Sequence, residues 1–232
     1  FDRTNARLTT FGTEVLYMVS DRAKALIKLA HTGLGCPSIP DIFHLGHDLA
    51  KGYSLAIFGR LRQAKRGFEQ AKQRLETLQK DVQGDGVQVA QAQGRVASCA
   101  ASLHHWQEVS SGWRQRLANV SRILHPWRLV DSTRQTSKEV EEQLRAELLA
   151  METLLETNGL PMKKDTLDKV RKQLAGIAAL VDLWWQTVRQ DLTQLAMTPR
   201  WTQWVAEVLL PLMYWHEQLR RTRCPGQKSQ MA

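Results

Sequence analysis

The sequence predicts a mainly α protein: a short strand–helix–strand α/β unit, then a long antiparallel helical hairpin, then a helical bundle. Three observations carry this. A short apolar, β-branched run, Val15 to Val19, ends just before Asp21 and is followed at once by a helical pattern. Two long heptad seams come next, separated by the break Gly84-Asp85-Gly86. Three further helix-period segments, punctuated by Pro and Gly, complete the chain. With 43% hydrophobic and 24% charged residues among 232, the chain can bury a sizeable core.

Val15–Val19 carries apolar residues on both faces, so it reads as a buried strand. The helix after it has Ala23, Leu26, Ile27 and Ala30 on one face. Gly33 to Pro40 is a loop, and Ile39 to Phe43 reads as a second short strand, at an edge because of Pro40. The first long seam is Ile57, Leu61, Ala64, Phe68, Ala71, Leu75, Leu78 and Val82. The second is Val89, Ala92, Val96, Cys99, Leu103, Trp106, Ser110, Trp113, Leu117, Val120 and Leu124, ended by Pro126. Two seams around a short turn predict an antiparallel hairpin, and its alanines let the helices approach closely.

Thr136-Ser137-Lys138-Glu139 has capping-box spacing and opens a third helix, with Val140, Leu144, Leu148, Met151 and Leu155 on one face. Asn158-Gly159-Leu160-Pro161 stops it. Asp165 is placed to cap a fourth helix carrying Leu167, Val170, Leu174, Ile177, Val181, Trp184, Val188 and Leu195. Thr198-Pro199 opens a fifth, which Pro211 should kink. The expected division is 1–45, strand–helix–strand; 46–223, helical; and 224–232, a polar, disordered tail.

The net charge of +9 suits a polyanionic partner, or marks a generic basic surface. Cys36, Cys99 and Cys224 are too scattered for a disulfide framework or zinc spacing, which fits a reduced, cytoplasmic setting. No apolar run approaches a membrane span. The opening Phe1-Asp2-Arg3-Thr4 is neither a signal peptide nor a start methionine, so the chain is expected to begin inside a longer reading frame. Walker, GxGxxG, HExxH and GxSxG motifs are absent.

Asp21 stands where open α/β sheets place active-site groups, beyond the carboxyl end of a strand. There it can ligate Mg²⁺, or simply cap the next helix. Asp41, His44, His47 and Asp48 form a second cluster with helical spacing, either metal-ligating or a capped helix start. Arg60, Arg62, Lys65, Arg66, Lys72 and Arg74 form a basic face, and Arg220, Arg221, Arg223 and Lys228 a second basic group. Each is suited to DNA phosphates or to plain solvation. Trp184, Trp185, Trp201, Trp204 and Trp215 offer base stacking but at helical spacing are expected in the core.

The run Val19-Ser20-Asp21-Arg22-Ala23-Lys24-Ala25-Leu26-Ile27, the Gly-rich loop, and Pro40-Asp41-Ile42-Phe43-His44-Leu45-Gly46-His47-Asp48-Leu49 together resemble bacterial insertion-sequence transposases of the DDE type. The match covers residues 13–62. It implies a partial RNase H-like core interrupted by a helical insertion. Asp21 becomes the second acid of the catalytic triad, a ligand of Mg²⁺ or Mn²⁺, and Asp41 and His44 become accessory candidates. The first aspartate is expected upstream and the final glutamate beyond Ala232; within the chain Glu217 is the late candidate, ahead of Glu207. Arg60, Arg62, Lys65 and Arg66 would hold DNA, or the hairpin would help form a homodimer, and the chain alone would be inactive. The other readings are a non-enzymatic coiled-coil scaffold or DNA-binding protein and, less well supported, a helix-turn-helix regulator, whose short helices and tight turn are not evident.

Overall fold

The computed structural model describes residues 6–8, 10–12, 15–20, 23–80, 86–128, 131–161 and 164–221. The protein is mainly helical, with one small parallel sheet. The elements are β1 (Met18–Ser20), α1 (Lys24–Lys28, running into a π-turn at Leu29–Leu34), β2 (Ser38–Pro40), α2 (Ile42–Lys80), α3 (Gly86–Ile123), α4 (Ser137–Thr157), α5 (Lys164–Gln194), α6 (Pro199–Trp204), a π-turn at Val205–Leu209, and α7 (Leu210–Arg221).

β1 and β2 pair in parallel, with Met18 opposite Ser38, Val19 opposite Ile39 and Ser20 opposite Pro40. Both strands differ from expectation. Residues 15–17 lie outside the strand, and Ile42 already belongs to α2, so the second strand ends at Pro40. Proline has no N–H to give the ladder, and the Asp41 amide instead donates to the Ser20 carbonyl at 2.8 Å. Ile39 is buried, and α5 packs against β2. Val19, expected buried, is 49% exposed, and Leu16 and Tyr17 are exposed too. A buried strand needs a layer over each face, and the described residues cover these side chains only in part. In the helix between the strands Ala30 is buried, Leu26 and Ile27 are half-buried, and Ala23 is exposed. Gly35, at φ 64°, closes the π-turn in a conformation glycine adopts without strain.

α2 and α3, joined through 81–85, run back along one another as the heptads predict. α2 begins at Ile42 and passes residues 45 and 46 without a break. Every described residue of both seams is buried or half-buried. In the outer half of the hairpin the buried residues among those described are Ala71 and Ala92, small side chains that let two helices close without a third.

The inner half joins α4 and α5. Leu49, Tyr53 and Ile57 from α2 and Val109, Trp113 and Val120 from α3 share one core with the predicted apolar faces of α4 and α5. Trp113 is fully buried, its ring edge-on to Tyr53, and its indole N–H donates to Ser54 Oγ at 2.9 Å. On α4, Glu147 is buried and accepts from Arg116 of α3 at 3.2 Å.

The ends of α4 follow from their sequence. Glu139 N–H donates to Thr136 Oγ1 at 3.3 Å, and Thr136 N–H donates to the Glu139 carboxylate at 2.8 Å, which completes the capping box. Those Thr136 hydrogen bonds hold the Glu139 carboxyl below its usual range. At the other end Gly159 takes φ 60°, and the Leu160 amide donates to the Leu155 carbonyl at 3.0 Å, a Schellman stop. α5 begins at Lys164, one residue before Asp165. Leu195 lies beyond its last residue, 65% exposed, and so leaves the predicted apolar face. Thr198 holds the N-cap position of α6, but its side chain makes no capping bond; it is the Thr198 carbonyl that accepts, from Thr202. Pro211 cannot donate to the residue 207 carbonyl, and the interruption expected there takes the form of the π-turn just upstream. Among the described residues no helix is long and apolar enough to cross a membrane. The tail 224–232 lies outside the described residues.

The α3–α4 connection is stitched by Gln135, which is almost fully buried. Its amide nitrogen donates to the Ile123 and His125 carbonyls at 3.2 and 2.8 Å, and its oxygen accepts from Gln143 at 2.9 Å. Replacing Gln135 by leucine strands these buried groups, so the Gln135→Leu variant should lose about 1–3 kcal/mol of stability. Urea titration followed by circular dichroism measures this, with an unchanged midpoint as the contrary result.

Candidate functional site

The carboxyl ends of two parallel strands lie side by side and lead into a helix at Asp41. The Asp41 amide is tied to Ser20 across the sheet, so the start of α2 is registered directly to the strand ends. Asp41 Oδ2 pairs with His44 Nδ1 at 2.8 Å, three residues on in the first turn of α2. The Asp41 carboxyl is partly buried and the His44 ring is more open, with side-chain exposures of 31% and 58%. This arrangement fixes one imidazole against one carboxylate at the position expected to bear function. Asp21 and Arg22, the next residues after β1, lie outside the described residues. His47 and Asp48 are exposed on α2. Among the described residues no three His, Cys, Asp or Glu side chains are grouped for a metal. The donor chemistry at the strand ends is nonetheless of the right kind: Asp41 contributes a carboxylate, the hard oxygen ligand Mg²⁺ takes.

Arg60, Arg62, Lys65 and Arg66 are all exposed on α2. None forms an ion pair with a described carboxylate. Arg62 and Arg66 line a shallow open groove with Gly59, Gln63, Gly67 and Gln70, where the two glycines leave room beside the guanidinium groups. A row of unneutralised guanidinium and ammonium groups on a helix is suited to phosphates.

Glu217 is engaged by an arginine of its own helix. Its carboxylate receives Arg220 Nε and Nη2 at 2.8 and 3.0 Å within α7, and the same contact raises the Arg220 pKa. Glu207, in the π-turn, accepts from Gln203 at 3.2 Å. Arg223 and Lys228 lie outside the described residues.

The tryptophans divide. Trp184 and Trp185 pack edge-to-face with Trp127, at 5.1 and 5.0 Å between ring centroids, and Arg134 lies 4.1 Å over the Trp185 ring. Trp215 packs beside Tyr214 and His125. Trp201 and Trp204, expected in the core, are exposed. Sequence reasoning did not single out Trp127, His125 or Tyr214, because the cluster gathers residues from distant segments and no local spacing announces it. His125 Nδ1 is hydrogen-bonded to Tyr214 Oη, which clasps α7 to the end of α3. Burial lowers the His125 pKa and pushes the Tyr214 phenol up to about 12.

Comparison with protein-family models, with curated proteins and with solved structures gives no match.

The half-buried His125 ring is favoured neutral, so the folded chain binds this proton less readily than the unfolded chain. Its contribution to stability is complete above the ordinary histidine value of 6.5 and is lost as pH falls below it. The denaturation midpoint of the wild type should therefore drop between neutral and mildly acidic pH, and His125→Gln should flatten that slope. Equal slopes in both proteins would remove this role from His125.

Proposed function

We propose that this chain is part of a DDE-type transposase, holding a segment of its RNase H-like core and the helical insertion that follows. The observation that carries the reading is the parallel β1–α1–β2 unit with the Asp41–His44 pair at its carboxyl end, leading without a break into a long basic hairpin. The resemblance across residues 13–62 assigns the second acid of the triad to Asp21. Mg²⁺ or Mn²⁺ bound by such acids would supply the Lewis acidity for attack on a phosphodiester.

The chain's own residues then have separable tasks. Asp21 serves as a carboxylate ligand. Asp41 fixes the first turn of α2 to the sheet and orients His44. Arg60, Arg62, Lys65 and Arg66 hold the DNA backbone through charge, without reading sequence. The exposed side chains of Leu16, Tyr17 and Val19 suit a further layer packed over the sheet, as the remainder of such a core would supply.

Two experiments test this. Binding of duplex DNA, followed by fluorescence anisotropy against salt, should weaken at least about tenfold when Arg60, Arg62, Lys65 and Arg66 are all replaced by alanine. The slope of log K against log salt should fall by about 0.9 for each phosphate the variant no longer neutralises. An unchanged slope would leave the hairpin as a scaffold. In the cleavage assay, this chain alone should show no Mg²⁺- or Mn²⁺-dependent strand scission. Robust cleavage that survives Asp21→Ala overturns the assignment.

A further inference from the structure

Arg134 lies in the α3–α4 connection, where its backbone bridges that of Trp127 in an isolated antiparallel pair. Its guanidinium carbon lies 4.1 Å over the ring of Trp185, which is buried in α5. Arg189 stands about one turn further along α5, on the same side of the helix as Trp185, and is exposed. Two positive charges from separate segments are thus brought together. Asp182, about one turn before Trp185, is taken by the amide and hydroxyl of Ser137. Asp191 is turned about 160° from Arg189 around the helix axis. Among the described residues neither arginine forms an ion pair. We propose that Arg134 and Arg189 form a seat for a phosphate group, spanning the α3–α4 connection and α5.

Like charges held side by side cost free energy unless an anion lies between them. Burial and the Arg189 charge hold the Arg134 guanidinium below its ordinary pKa, and Asp182 offsets this only in part. The seat is also preorganised. The Trp185 ring restrains the Arg134 side chain before any ligand arrives, so less of its freedom is lost on binding. The backbone beneath it is fixed by the Trp127 bridge and by the buried amide of Gln135. A carboxylate has two oxygens and one charge, enough for one guanidinium fork. A phosphate has the oxygens and the charge for two. Gln186 and Thr193 border a cleft with Arg189 on the same side of α5, and offer hydrogen bonds to whatever the phosphate is attached to. The seat shares no residue with the basic groove of α2, and the inference does not rest on the transposase reading.

Thermal unfolding of the whole chain, in inorganic phosphate against chloride of equal ionic strength, tests the seat. Phosphate should raise the wild-type midpoint by about 2 °C or more. Arg189→Gln and Arg134→Gln should each lose most of that gain, whereas Arg95→Gln, exposed on the outer hairpin, should keep it. In chloride, Arg189→Gln should unfold no earlier than the wild type, because it relieves a repulsion; an arginine with only a structural role would lower the midpoint. Duplex DNA of random sequence, followed by fluorescence anisotropy, separates the two sources of the phosphate. A loss of about threefold or more in affinity in Arg189→Gln assigns it to a nucleic-acid backbone. Unchanged DNA affinity with the phosphate gain lost assigns it to a small phosphorylated molecule. The proposal is overturned if Arg189→Gln gains as much from phosphate as the wild type and holds DNA equally well. A lower midpoint of that variant in chloride, or an equal loss of gain in Arg95→Gln, overturns it too.

Discussion

Burial of Trp113 is the constraint around which the helices are arranged. An indole removed entirely from water brings a large apolar gain together with one N–H that must find an acceptor. Ser54 supplies that acceptor from α2, one residue from Tyr53, whose ring meets the indole edge-on. This contact sets where α3 lies against α2. With those two helices fixed, α4 and α5 close the core through their periodic faces. The capping box at Thr136 and the Schellman stop at Gly159 bound α4, and the Ser137 amide and hydroxyl bind Asp182 of α5. The aromatic group around Trp127 then seats α7 on the end of the assembly.

Features written in local spacing were legible from the chain alone. The heptads of α2 and α3 predict which residues face inward, and the described seam positions follow them, because a repeat of about 3.5 residues is a property of one helix and its nearest neighbour. The ends of α4 were legible for the same reason: each depends on residues within one turn. Features that depend on what covers a surface were not. Val15–Val19 has the composition of a strand buried on both faces, yet Val19 is half open, since composition does not say whether a second layer is present. Trp201 and Trp204 share the helical spacing of core tryptophans and still face outward, because spacing fixes which residues share a face and not which face meets the core. The clasp between His125 and Tyr214 spans 89 positions, and no short-range pattern reports it.

The candidate site is legible to the same degree. Asp41 and His44 are three residues apart at a helix start, and the structure brings them together as that spacing allows. Arg60, Arg62, Lys65 and Arg66 sit on the exposed surface of α2 and pair with no carboxylate among the described residues, as the proposed contact with a polyanion needs. Glu217 is the counter-example. In sequence it is a carboxylate at a suggestive place, but in the fold it is bound by an arginine one turn away. A carboxylate so engaged must give up a bidentate contact before it can take a cation.

The continuity of α2 has a mechanical consequence. Its first residue follows directly on Asp41, and Leu49, Tyr53 and Ile57, in its first half, are held in the bundle core. From Ile57 about 22 Å of helix reaches back to the strand ends and about 35 Å runs out to Lys80. The basic groove, between Gly59 and Gln70, begins within one turn of Ile57. Groove, core contacts and the Asp41–His44 pair therefore lie along one unbroken helix, and whatever occupies the groove is held in fixed register with the strand ends.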